Sequence, residues 1–119
     1  MFGEYYFSVD VESVGLHGNP FAIAYVIFKE GGSIVDKCLE YCPLDLTDSL
    51  KTDFEWIKEN VLPHFKDINY TCDNTKSLYE NFWSSWISSK KKYTNIMMIG
   101  DLSSWNKFHF TMHKIRFEK

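Results

Sequence analysis

Asp10 and Glu12 stand two residues apart at the end of the apolar run Tyr5-Tyr6-Phe7-Ser8-Val9. On an extended strand, residues i and i+2 project from one face, so the two carboxylates would stand side by side. Neighbouring carboxylates repel each other unless a proton, water or a cation screens them. Hard divalent cations such as Mg2+ take oxygen ligands of this kind. The chemistry such a pair offers is metal binding for phosphodiester cleavage. The plainer alternative is a strand whose polar end is solvated.

The elements that would position this pair are legible in the pattern of side chains. From Tyr5 to Val11 the chain alternates, with Phe7, Val9 and Val11 on one side and Tyr6, Ser8, Asp10 and Glu12 on the other. That is the period of a strand. Gly15, Gly18, Asn19 and Pro20 mark a turn. Phe21 to Phe28 is nearly all apolar and reads as a buried strand. Glu30-Gly31-Gly32-Ser33 is a hairpin-like turn, and Ile34 to Tyr41 returns as a third strand. These three strands predict an antiparallel meander.

Two helices follow in the pattern. Thr52-Asp53-Phe54-Glu55 has the form of a capping box, with Thr52 as cap and Glu55 reaching back. Phe54, Ile57 and Val61 follow at helical spacing, and Pro63 limits the helix. Ser77-Leu78-Tyr79-Glu80 is a second candidate box. Leu78, Tyr79, Phe82, Trp83, Trp86 and Ile87 form a wide apolar stripe, which assigns the two tryptophans to the core rather than to base stacking. Lys90, Lys91 and Lys92 suit a helix C-terminus, where cations are favoured. Asn95 to Gly100, centred on Ile96-Met97-Met98-Ile99, predicts a buried fourth strand that ends before Asp101.

Composition bounds the function classes. A chain of 119 residues with 45% hydrophobic and 18% aromatic content can build one core, so a single domain over 1–119 is expected rather than a disordered segment. No apolar run approaches the roughly 18 residues of a membrane span, and no secretory pattern opens the chain. Cys38, Cys42 and Cys72 lack the spacing of a zinc motif, and an odd number cannot all pair internally. They fit a reducing, cytoplasmic setting. Residues 1–60 carry 11 acids and 4 bases, whereas residues 61–119 carry 5 acids and 9 bases. An acidic half that holds metal and a basic half that meets phosphate would suit a nuclease. Chance imbalance of solvated faces would give the same numbers.

The run Phe7-Ser8-Val9-Asp10-Val11-Glu12-Ser13-Val14-Gly15-Leu16-His17-Gly18, followed by the strand Phe21 to Ile27, resembles the opening of the DEDD superfamily of 3′-5′ exonucleases. The likeness is strongest at residues 7–27, extends over about residues 5–110, and is closest to small bacterial and viral exonuclease-like proteins. It implies an α/β, ribonuclease H-like fold: a three-strand antiparallel meander plus a fourth strand parallel to the first. It also implies Mg2+ or Mn2+ in a two-metal site, with Asp10, Glu12 and Asp101 as metal-binding catalytic residues. The implied substrate is single-stranded DNA or RNA. On parallel neighbouring strands, Asp10 and Asp101 would face each other at the C-terminal ends.

The sequence departs from the family pattern after Asp101. Lys107 stands where a Glu is expected, and no late Asp with a His or Tyr base follows. His17, His109 and His113 are the histidines near the motifs, with turn or surface roles as their simpler reading. The resemblance therefore implies a member that is shortened or divergent at its C-terminus, with hydrolysis impaired by the missing third motif. The alternative is an inactive remnant that binds nucleic acid or protein, whose uncovered apolar surface would favour a homo-oligomer.

Overall fold

The computed structural model describes residues 4–15, 18–47 and 49–100. The alternation at the N-terminus becomes strand β1, Tyr5–Ser13, which runs through both acids rather than stopping at them. Strand β2, Pro20–Lys29, pairs antiparallel with β1, and β3, Ile34–Tyr41, pairs antiparallel with β2. The β2–β3 turn places Gly31 and Gly32 at φ of 106° and 100°, a region that costs other residues a Cβ clash. Helix α1, Lys51–Asn60, leads into a 3-10 turn at Leu62–Phe65. Helix α2, Thr75–Lys92, then carries the chain back to β4, Ile96–Gly100.

β4 pairs parallel with β1, so the mixed sheet has the order β3-β2-β1-β4. Parallel strands need a long connection between them, and the segment containing α1 and α2 supplies it. Among the described residues the result is a small α/β arrangement of four strands and two helices.

The core follows from the period of two. Phe7, Val9 and Val11 of β1 and Phe21, Ile23, Tyr25 and Ile27 of β2 are buried. Leu78, Tyr79 and Phe82 of α2 cover them. Phe7 is the hub: its ring stacks on Tyr25 at 4.4 Å and meets Phe82 and Trp86 edge-on at 5.7 and 5.2 Å. Ile57 is buried, while Phe54, Val61, Trp83 and Trp86 pack against the core half-exposed.

Three local expectations fail, each for a physical reason. The Thr52–Glu55 capping box does not form, because α1 begins two residues earlier behind Leu50 and no side chain caps it. Glu55 lies instead 4.0 Å from Lys51, an i,i+4 partner on the same helix face. Likewise α2 is capped by Asn74, whose Oδ1 accepts from the Ser77 amide at 2.9 Å, and Glu80 pairs with Lys76 at 4.0 Å. Among the described residues strand β4 lies at the sheet edge and is only partly buried. Met97 and Ile99 are 44% and 40% exposed because their register partners, Tyr6 and Ser8, lie on the sheet face opposite α2. Among the described residues no helix is long and apolar enough to cross a membrane.

Phe82 is 1% exposed and touches the hub ring directly. Phe82→Ala is expected to cost about 3–5 kcal/mol in chemical denaturation. A loss below roughly 1 kcal/mol would show that α2 does not carry the core.

Candidate functional site

Alternation along β1 separates two kinds of chemistry. Val9 and Val11 point into the core under α2, which leaves Asp10 and Glu12 together on the opposite face. Their Cα atoms lie about 6.5–7 Å apart, the two-residue rise of a strand. Asp10 is exposed and Glu12 half-buried. Across the β1–β2 ladder, Asp10 stands opposite Ala24 and Glu12 opposite Ala22. Two methyl groups therefore flank the acids, with Ala22 buried and Ala24 half-buried.

On its other side β1 is paired with β4 only from Tyr5 to Val9, where the register ends at Gly100. Among the described residues, the stretch that holds both acids is thus paired on one side alone. A strand end beside a parallel neighbour's end is where α/β sheets open to ligands. Asp101, the residue after Gly100, lies outside the described residues, as do His17, Lys107, His109 and His113. The exposed lysines Lys90, Lys91 and Lys92 end α2 as expected, with the Lys90 ammonium 5.6 Å from the Trp86 ring centre.

One acid was not anticipated from the sequence. Asp53, in the first turn of α1, lies with its carboxylate against Gly15, just beyond the end of β1. Gly15 has a φ of 75°, and a Cβ there would overlap the Asp53 carboxylate. The turn is closed by Ser13, whose hydroxyl donates to the Gly15 carbonyl at 2.9 Å. An Asp in a first helical turn is ordinarily a favourable charge near the helix N-terminus, and so carried no site signal in the sequence.

The donor chemistry of Asp10 and Glu12 suits a hard cation, because both offer carboxylate oxygens from one face. They form only part of a coordination set: among the described residues no three His, Cys, Asp or Glu side chains are grouped to hold a metal.

The thiols titrate away from the site. Burial pushes Cys42 up from 9.0 to about 12, with a further rise from neighbouring Cys72. Burial also raises Cys38 and Cys72, and the hydroxyls of Tyr25 and Tyr41. None of these groups is poised as a neutral-pH nucleophile.

No protein-family model matches the chain, and no curated protein matches it.

Two outcomes follow from this geometry. Gly15→Ala adds a Cβ in a left-handed conformation and against Asp53, so it should destabilise by about 1–3 kcal/mol in urea titration. An unchanged midpoint would contradict the close approach. The second concerns alkali. Cys42 holds its proton more tightly folded than unfolded, so its contribution is complete below the ordinary 9.0 and is lost as pH rises toward about 12. Cys38, Cys72, Tyr25 and Tyr41 act in the same direction. The urea midpoint should therefore fall between about pH 9 and pH 11. A flat profile would contradict the burial of these groups.

Proposed function

We propose that the chain is an exonuclease-like protein of the ribonuclease H-like kind, binding divalent cations through Asp10 and Glu12 and acting weakly on single-stranded DNA or RNA. The observation that carries this reading is the parallel β1–β4 pairing, whose last partners, Val9 and Gly100, immediately precede Asp10 and Asp101 in the chain. Continuation of that register by one residue would bring the third carboxylate beside the first. The strand order and the resemblance of residues 7–27 support the same conclusion.

Divalent cations bound there would supply charge neutralisation and nucleophile activation for phosphodiester hydrolysis. The remaining work falls to the chain's own side chains. Asp10 and Glu12 fix two oxygen donors on a rigid central strand, whose hub Phe7 is locked by three rings. The resemblance leaves the general base without an assigned residue. General-base help is typically worth ~10²–10⁴-fold, so turnover without it is slow.

A second reading, an inactive binding remnant, is favoured by the exposed Met97 and Ile99 on the same sheet face as the acids. That apolar surface would suit self-association or a protein partner.

A 5′-labelled single-stranded oligonucleotide with Mg2+ or Mn2+, together with calorimetric Mn2+ titration, tests both readings. Binding that weakens sharply in Asp10→Asn, with slow shortening from the 3′ end lost in Asp10→Asn and Asp101→Asn, supports the nuclease. The same binding without shortening supports the remnant. Equal Mn2+ binding by wild type and Asp10→Asn would overturn the metal site and both readings' use of it.

A further inference from the structure

Cys42 begins the chain segment that leaves β3, and Cys72 closes the same excursion just before α2. Between them lie α1 and the 3-10 turn. Their backbones are stitched together at one carbonyl: the Tyr41 oxygen accepts from the Thr71 amide at 2.8 Å and from the Cys72 amide at 3.4 Å. The Cys72 thiol donates to that oxygen as well, at 3.6 Å. The same Tyr41 peptide carries the Cys42 amide, which donates to the Phe21 carbonyl at 2.9 Å. One hydrogen bond thus separates the two backbones. Burial raises the Cys42 thiol, and the Cys72 thiol is near enough to raise it further. A disulfide needs Cα atoms about 4.4–6.8 Å apart and facing side chains, and residues on either side of one such backbone hydrogen bond lie within reach of that span.

We propose that Cys42 and Cys72 are a modification site: a dithiol that closes to an intramolecular disulfide when exposed to a small-molecule disulfide oxidant. Cys72 is half-buried whereas Cys42 is 0% exposed, so Cys72 reacts first. Its thiol loses a proton to solvent, and the thiolate attacks one sulfur of the reagent. The reagent's S–S bond breaks and one small thiolate leaves. Cys42 then loses its proton and attacks the Cys72 sulfur of the mixed disulfide, which expels the second small thiolate. Two protein thiols are oxidised and one reagent disulfide is reduced to two thiols.

The third cysteine is excluded by its own contacts. The Cys38 thiol lies 3.9 Å from the Glu40 carboxylate on β3, toward which it donates. The new bond would staple the α1 excursion to the end of β3. That excursion carries Asp53, which lies against Gly15 beyond the acid pair. The inference stands independently of the metal reading.

The test treats the full chain with oxidised glutathione in alkaline buffer, where the raised thiols begin to ionise, then maps disulfides by mass spectrometry and records thermal unfolding. The expected product has lost two hydrogens, links the peptides of Cys42 and Cys72, and melts on the order of 10 °C higher than the reduced chain. Cys38→Ser should give the same product. Cys42→Ala, its fold checked by circular dichroism, should stop at the glutathione mixed disulfide on Cys72. Bridges through Cys38, mixed disulfides alone in the wild type, or a crosslink that leaves the melting temperature unchanged would overturn the proposal.

Discussion

Strand β1 must satisfy two neighbours of opposite direction while presenting two incompatible faces. Its backbone groups pair antiparallel with β2 along Tyr5–Ser13 and parallel with β4 along Tyr5–Val9. One face supplies Phe7, Val9 and Val11 to the core, and the other carries Asp10 and Glu12. A slip of one residue would drive both carboxylates under α2 and expose Phe7. The packing of Phe7 against Tyr25, Phe82 and Trp86 therefore fixes the register, and the register fixes the acids.

The same constraint explains where the sheet opens. Among the described residues β4 pairs with β1 as far as Val9 and Gly100, so within them the acids have a ladder partner on the β2 side alone. Asp10 is exposed and Glu12 half-buried there, two neighbouring carboxylates whose placement a bound cation would stabilise. The face opposite α2 also exposes Met97 and Ile99, so polar chemistry and apolar surface share it.

Much of this was legible because it is periodic. The meander, the α2 stripe and the presence of β4 all follow from spacing over five or more residues. What escaped was decided by competition or by distance along the chain. Glu55 and Glu80 are drawn to Lys51 and Lys76, so neither completes the capping box its position suggests. The burial of β4 was overestimated because a run of four apolar residues looks alike on an edge and in a sheet centre. The approach of Asp53 to Gly15 and of Cys72 to Cys42 joins residues some 30 or more positions apart, which local pattern does not encode. Asp10 and Glu12 were visible as a pair, and the β4 register adds the strand end beside which they lie.

The placement of the cation is tested most directly by Mn2+ titration of the isotopically labelled chain, following paramagnetic loss of amide signals. Binding by the β1 acids predicts that the amides of Asp10 to Ser13, with Gly100 across the parallel ladder, fade first and together. Fading centred on Asp67 and Asp73, or uniform loss across the chain, would contradict it.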